Sequence, residues 1–279
     1  MSRRWPLVAA SFCMLSAGPA GSAQAPQAAL NILVTNSDGV RAPGLAAIVR
    51  ALKGIGSLTV IAPDEDQNGK GHSVSVAEPI YSTTVTMADG TLATALAATP
   101  ASCVKVALDA PLVTRQPDLV VSGVSRGYSL GMGAYTSGAT GAAREAAMRG
   151  IPAIAVSIAS LADPHYDAAA AVAARLVTQV RVRGLPPGTF LNVNVPPGPL
   201  ETLRDVRVTT QSAQSGTERY EAQKSADGRR YFWSISQEPR RDLEGTDVWA
   251  VSRGFVSVTP LRVGEHDPVT HEKWKTLRW

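Results

Sequence analysis

The chain has 279 residues, 44% of them hydrophobic and 18% charged, with a formal net charge of +4. This is enough material for one large α/β domain with a substantial core, or for a domain with a smaller appendage, and no stretch is repetitive or of low complexity. The weak positive balance is too little to argue for nucleic-acid binding, and no nucleic-acid polymer is predicted as a partner.

Residues 1–23 read as a secretory signal. Arg3 and Arg4 form a basic start, Trp5 to Ala17 is apolar but too short to span a bilayer comfortably, and Gly21-Ser22-Ala23 is a small-residue cleavage site. Ala23-Gln24-Ala25 is a poorer choice because Pro26 follows it. The expectation is an exported protein, periplasmic or secreted, with no membrane attachment after cleavage. Ser2-Arg3-Arg4 matches the twin-arginine pattern only in part, and Cys13 lacks the small residue that precedes a lipoprotein cysteine. Cleavage removes two arginines and no acid, which lowers the formal charge to +2. It also leaves Cys103 alone, in the apolar run Cys103 to Leu108, as a buried structural thiol that cannot form an internal disulfide.

Leu30 to Thr35 reads as a short buried strand. Asn36-Ser37-Asp38-Gly39 is a tight turn, and Ala42-Pro43-Gly44 opens an amphipathic helix with Leu45, Ile48, Val49 and Leu52 on one face. Leu58 to Ala62 is a second buried strand, ending in the polar, Gly-rich loop Pro63 to Ser73. Strand, helix, strand in succession predicts a doubly wound, mostly parallel sheet. Tyr81 to Met87 alternates and is followed by a hairpin turn, Ala88 to Thr91. Pro100 to Ala110 reads as a helix and Asp118 to Gly123 as a core strand. Val124 to Thr136 reads as a long Gly-rich loop with few apolar anchors, after which Ser137 starts a helix to Met148. Ala153 to Ser157 is a strand, Asp167 to Val180 an Ala-rich helix, and Phe190 to Val195 a further strand.

From Asp205 the pattern changes to separated β segments at 206–209, 230–235 and 254–259, with a polar stretch, Gln211 to Arg229, read as a protruding hairpin region. Residues 24–279 are therefore expected to form one domain whose β-rich part, about 205–279, serves oligomer contacts. Trp274 and Trp279, on a short charged tail, are expected to pack on a neighbouring subunit or domain.

In an open α/β sheet, ligands bind beyond the carboxyl ends of the strands, which places Asp38 where a metal or phosphate site belongs. Asn36-Ser37-Asp38-Gly39-Val40-Arg41-Ala42-Pro43-Gly44 resembles the first motif of the SurE family of stationary-phase survival proteins, N-D-D-G-V-x-A-P-G, with Ser37 at one acidic position. The resemblance continues in order. Pro63-Asp64 and its loop are similar to A-P-D-x-x-x-S-G, Thr99 to Val104 to T-P-x-D-C-V, and Val121 to Ser125 to V-S-G-I-N. Ser137 to Glu145 resembles S-G-T-V-A-A-A-x-E, and Gly245-Thr246-Asp247 and Ser257 to Leu261 resemble the late G-T-D and S-I-T-P-L.

That resemblance implies a metal-dependent phosphatase that converts nucleoside monophosphates to nucleoside and phosphate, working as a homodimer or homotetramer. It also implies a divalent cation, Mg²⁺ or Mn²⁺, at Ser37, Asp38, Asn68 and Ser125. Three of those four positions differ in type from the family's, and only Asp38 is anionic. Hard cations favour carboxylate oxygens, so the cation is expected to be weakly held. The implied mechanism has the metal polarise the ester while an oriented water attacks phosphorus, with Asp38 as the catalytic group. Ser137, Gly138 and Thr140 open a helix whose free N–H groups suit an anion, and Asn36 and Gly69 complete the phosphate-binding set. The bland alternative at Ser137 is an ordinary N-cap. His72, in the same loop as Asn68, is a possible general acid.

Two other readings compete. An exported protein with this fold could keep an anion pocket and have lost efficient metal catalysis. Gly123-Val124-Ser125-Arg126-Gly127 is also a literal G-x-S-x-G, the pattern of a serine esterase. That elbow needs a helix straight after the turn, and Tyr128 to Gly133 is a poor helix start.

Overall fold

The computed structural model describes residues 29–159, 164–237 and 241–276. The signal segment, its cleavage site and Trp279 lie outside them.

Four near-continuous apolar runs form the parallel heart of a nine-stranded sheet. These are β1 (Leu30–Thr35), β2 (Gly56–Pro63), β5 (Leu119–Arg126) and β6 (Ala153–Ile158). They are buried on both faces, which is why they read as unbroken hydrophobic stretches. Ile32 and Val34 of β1 face one core with Val60, Val121, Ile154 and Val156, while the intervening Leu33 faces the other with Ile61, Val120, Ala153 and Ala155. Helices α1 (Pro43–Leu52) and α4 (Tyr166–Arg183) cover the first face, and α2 (Pro100–Asp109) and α3 (Gly138–Met148) the second. Pro43 at the first turn of α1 sits where its missing N–H costs nothing.

With β3 (Ser82–Thr86), β4 (Leu92–Leu96), β7 (Thr189–Val195), β8 (Arg204–Val208) and β11 (Phe255–Arg262), the sheet order is β3-β4-β2-β1-β5-β6-β7-β11-β8. The chain leaves β1 toward β2 on one side and returns to pair β5 on the other, both in parallel. The crevice between the carboxyl ends of β1 and β5 is thus the switch point where such sheets bind ligands.

Two expectations are corrected. Val124 to Thr136 is not an unanchored loop: β5 runs on to Arg126, shifting register against β6 between Ser122 and Ser125, and Val124, Leu130 and Ala134 are buried. Gly-rich composition hid three apolar anchors spaced too far apart to show a period.

The β segments after 205, expected within the one domain as its β-rich part, divide between the main sheet and a hairpin. β11 pairs antiparallel with β7, and β8 parallel with β11, so both extend the main sheet. Only β9 (Thr217–Lys224) and β10 (Arg230–Gln237) stand apart as a two-stranded antiparallel hairpin. Residues 211–214, read as part of that protrusion, are instead stitched to the segment above the switch point. Gln211 Nε2 donates to the Gly131 carbonyl at 2.7 Å and the Met132 N–H to the Gln214 carbonyl at 2.9 Å. The tail forms α5 (Asp247–Ser252) before β11 and α6 (Pro268–Trp274) after it, and Trp274 is exposed. Among the described residues, no helix is long and apolar enough to cross a membrane.

Candidate functional site

The turn after β1 is built to present one carboxylate. Asn36 is fully buried and its Nδ2 donates to the Gly39 carbonyl at 2.9 Å, closing the turn. Gly39 has φ +100°, and a Cβ there would press on the Glu65 backbone at 3.0 Å, so the position requires glycine. Asp38 then projects across the crevice toward the end of β5. Its Oδ2 accepts the Arg126 backbone N–H at 2.8 Å, and its Oδ1 accepts Asn68 Nδ2 at 2.8 Å.

The candidate metal positions converge. Ser37 Oγ donates to Asn68 Oδ1 at 2.6 Å, and the Ser37 N–H donates to Ser125 Oγ at 3.2 Å. The Gln67 N–H donates to the Ser37 carbonyl at 2.8 Å, and the Asn68 N–H to Asp66 Oδ1 at 2.8 Å, which fixes the Gly-rich loop over the β1 turn. Burial raises the Asp38 carboxyl above the usual carboxylate range. The bonds from Asn68 and the Arg126 N–H oppose that rise, and the nearby charge of Asp66 adds to it.

Every donor in this set is a hard oxygen: one carboxylate, the Asn68 amide oxygen and two hydroxyls. Asn36 Oδ1, buried beside them, has no hydrogen-bond partner among the described residues. Such a set fits Mg²⁺ or Mn²⁺ in kind, with less anionic charge than two carboxylates would give. No group of three or more His, Cys, Asp or Glu side chains converges among the described residues, so a cation here relies on neutral oxygens.

The anion half faces it. Ser137 N-caps α3, its Oγ accepting the Thr140 N–H at 3.3 Å and the Ser129 hydroxyl at 2.8 Å. A Cβ at Gly138 would meet Ser37 Cβ and Pro100 Cγ at 3.0 Å, so the start of α3 abuts the β1 turn. Ser37, Asn68, Gly69, Ser125 and Ser137 all line one cavity of about 140 Å³. That is well below the several hundred Å³ of pockets that enclose whole drug-sized ligands and matches a phosphoryl-sized guest.

Asn36, Gly138 and Thr140 stand behind this wall rather than in it. The Thr140 hydroxyl is spent on the Ser137 carbonyl at 2.9 Å and on the Ala134 carbonyl. The structure does not bring His72 to the cavity. Its Nε2 meets Glu145 Oε2 at 3.0 Å, and Lys105 and Arg149 share that carboxylate. Loop sequence alone could not show that Gly71 and His72 pass over α3 at Gly141, where a Cβ would lie 2.1 Å from the Gly71 carbonyl oxygen.

Six further residues line the cavity without having been singled out: Arg126, Tyr128, Ser129, Gly133, Thr136 and Ser157. Behind them Asn192 Nδ2 donates to the Ser129 carbonyl at 2.7 Å, and the Ser129 N–H donates to Asn194 Oδ1 at 3.0 Å. The usable signal was Asn192 and Asn194 at alternate positions of an otherwise apolar strand, which marks one polar face inside the core. Asp247 is fully buried and accepts N–H bonds from Gly131 at 2.8 Å and from Ser212 and Val248 at 2.9 Å, pinning the segment that carries Ser129 to Thr136.

The esterase geometry is absent. Ser125 is buried within β5, its Oγ accepts the Ser37 N–H, and the next α-helix begins only at Gly138. A larger cavity of about 560 Å³ lies between α1 and the start of α4, lined in part by Arg50, His165 and Tyr166. The Tyr166 phenol is pushed up by burial and by the charge of Asp38, which marks it as a neighbour of the site.

Comparison with known proteins agrees with this geometry. Residues 32–218 match the family described as Survival protein SurE. The 5′-nucleotidase SurE of Geobacter sulfurreducens is 45% identical over 236 residues, which cover 84% of this chain and 88% of that one. The 5′-nucleotidase SurE of Syntrophobacter fumaroxidans is 39% identical over 252 residues, covering 90% and 99%. Among solved structures, the SurE protein from Aquifex aeolicus is similar with a TM-score of 0.76 at 33% identity, over 88% of this chain and 98% of that one. With its sheet order, its cavity at the β1/β5 switch and these relatives in agreement, the chain belongs to the SurE family.

Proposed function

We propose that this chain is a phosphoric monoester hydrolase of the 5′-nucleotidase type, releasing phosphate from nucleoside monophosphates in a reaction that depends on a divalent cation. The observation that carries this reading is the convergence of Asn68, Ser125 and Ser137 at the start of α3 on one phosphoryl-sized cavity at the switch point, with Asp38 bonded to two of its lining residues, Asn68 and Arg126. Relatives named 5′-nucleotidase SurE support it.

Asp38, with the oxygens of Ser37, Asn68 and Ser125, would hold Mg²⁺ or Mn²⁺. When bound, such a cation supplies Lewis-acid polarisation of a phosphoryl oxygen. The chain's own groups do the rest. Ser137 and the free N–H groups at the start of α3 receive the phosphate oxygens. The Asp38 carboxylate accepts a hydrogen bond from the attacking water. A water oxygen bonds to phosphorus, the ester P–O bond breaks, and the proton leaves with the nucleoside hydroxyl. The cavity takes the phosphate, so the nucleoside lies outside it.

The same proposal has residues 24–279 acting as one domain, exported by the signal at 1–23 to the periplasm or beyond, as a homodimer or homotetramer. The exposed aromatic residues of the β9–β10 hairpin support its role in assembly.

The test is phosphate release from a panel of nucleoside monophosphates in EDTA, Mg²⁺ and Mn²⁺, beside Asp38→Asn and Ser125→Ala. Release that needs metal and is lost in Asp38→Asn is the expected result. A folded protein that releases none with any metal sinks the enzyme reading and leaves an anion-binding protein. Ester hydrolysis indifferent to EDTA and lost in Ser125→Ala would make it a serine esterase.

A further inference from the structure

A phosphate monoester brings close to two negative charges at neutral pH. Behind the cavity wall stand two carboxylates, Asp38 bonded to Asn68 and to the Arg126 N–H and Asp66 bonded to the Asn68 N–H, and the lining residues Ser37, Asn68 and Ser125 are neutral. A cation must therefore meet the phosphate, and the site's hold on a metal is weakened by Ser37. Arg126 is the one charged residue among those lining the cavity.

Arg126 is placed for this task on three counts. It ends β5, and its backbone N–H is bonded to Asp38, so its Cα is fixed against the site. Its side chain is 47% exposed, so solvent reaches it beside the cavity it lines. Its Nη2 lies 3.8 Å from Asp66 Oδ2, beyond the 2.7–2.9 Å of a charge-assisted hydrogen bond. Asp66 itself is held, because its Oδ1 accepts the Asn68 N–H at 2.8 Å. The pair is a fixed carboxylate and a tethered guanidinium, attracted but not locked.

We propose that Arg126 is a phosphate-binding residue of this site, exchanging its loose contact with Asp66 for the phosphate of the substrate. The inference rests on the phosphatase reading and deepens it. A planar guanidinium matches two phosphate oxygens at once, which a point charge cannot do. Asp66 competes with the phosphate for the same group and returns it to its resting position after product leaves. Ser37 and Arg126 thus belong together: a site that holds its metal less tightly carries a fixed positive charge of its own.

The experiment is calorimetric titration of the purified protein with inorganic phosphate in EDTA, which removes the metal from the question. The wild type binds, Arg126→Gln binds at least tenfold more weakly, and Arg126→Lys falls between. Asp66→Asn binds severalfold more tightly, because the competing carboxylate is gone. Melting curves of each variant check the fold, and Arg126→Lys serves if Arg126→Gln does not fold. Equal phosphate affinity in wild type and Arg126→Gln overturns the proposal, as does weaker binding in Asp66→Asn. Hydrolysis is scored separately: phosphate binding that depends on Arg126 in a protein that hydrolyses nothing supports the clamp and overturns the nucleotidase.

Discussion

The hydroxyl of Ser37 donates to Oδ1 of Asn68 at 2.6 Å, and Nδ2 of the same amide donates to Asp38 at 2.8 Å. Position 37, a carboxylate in the motif that this turn resembles, here carries a hydroxyl, which turns its proton onto the Asn68 amide oxygen. A carboxylate about 4 Å from a dication contributes roughly 8 kcal/mol of gross attraction at an effective dielectric of about 20, most of it offset by desolvation. Ser37→Asp is expected to tighten Mn²⁺ binding by about tenfold or more, read by titration of the free metal. An unchanged affinity would mean that position 37 does not face the cation.

If Asp38 holds the cation as proposed, its protonation is expected to limit metal binding at acid pH. Burial raises its carboxyl above the ordinary 3.8, so the anionic form that holds a cation is lost at a higher pH than an exposed aspartate would lose it. The linkage sign follows. The folded state binds the proton more tightly than the unfolded chain, so this group's stabilising contribution is fully present below the unfolded value and is lost as pH rises through the folded one. Without metal, Asp38→Asn removes that loss, and the variant is expected to be relatively more stable at pH 7 than at pH 3 when denaturant midpoints of the two proteins are compared. Saturating metal favours the ionised carboxylate and reverses the trend in the wild type. Equal pH dependence of stability in the metal-free wild type and Asp38→Asn would contradict the burial argument.

Much of the fold was legible because its central strands are buried on both faces and each is closed by a turn with its own chemistry. Pro43 at the start of α1 and Thr99 capping α2 announce themselves. The site was legible where a single short motif carries it, as at Asn36 to Gly39. It was not legible where chemistry depends on distant segments crossing. His72 reads as a loop histidine and becomes the partner of Glu145, 73 residues away. Asp247 reads as one letter of a late motif and becomes the anchor of Gly131, 116 residues away. No local period encodes either meeting.

His72 meets Glu145 rather than the cavity, and its expected contribution is to stability. The Glu145 carboxyl is lowered, first by its bond to His72 and then by the charges of Lys105, His72 and Arg149, against the opposing effect of burial. A depressed carboxyl contributes stability that is present above its unfolded value of about 4.5 and lost as pH falls through the folded one. His72→Gln is expected to cost about 1–2 kcal/mol at pH 7, as the loss of a partly buried charge-assisted bond does. The deficit shrinks as pH falls below 4.5 toward the lowered folded value, while kcat at neutral pH stays within severalfold of wild type. A fall in kcat of a hundredfold with stability intact would restore the general-acid role.

Asp247 couples the C-terminal part of the chain to the cavity. It is fully buried and accepts three backbone N–H groups. Asp247→Ala leaves those donors without their acceptor at roughly 1–3 kcal/mol each before relaxation, so a total loss of about 3 kcal/mol or more is expected in denaturant unfolding. Asp247→Asn keeps one acceptor oxygen and is expected to fold, with faster hydrogen exchange at Gly131 and Ser212 and a raised KM for the nucleotide. Wild-type exchange at both amides would show that the segment holds its place without the carboxylate.

If the chain assembles with copies of itself as proposed, the β9–β10 hairpin is the expected contact. Its strands pair only with each other, and an isolated two-stranded ribbon is marginally stable in water. Tyr220 is 62% exposed, Phe232 56% and Trp233 63%, a set of large apolar side chains that a lone monomer would leave wet. Phe232 and Trp233 are adjacent in β10 and so point to opposite faces of the ribbon, which suits a hairpin gripped from both sides better than one lying flat on a single surface. Trp233→Asp with Phe232→Ser is expected to shift light-scattering mass toward the monomer and to lower the melting temperature in a concentration-dependent way. A double variant with the wild-type mass would place the subunit contact elsewhere and leave the hairpin to another partner.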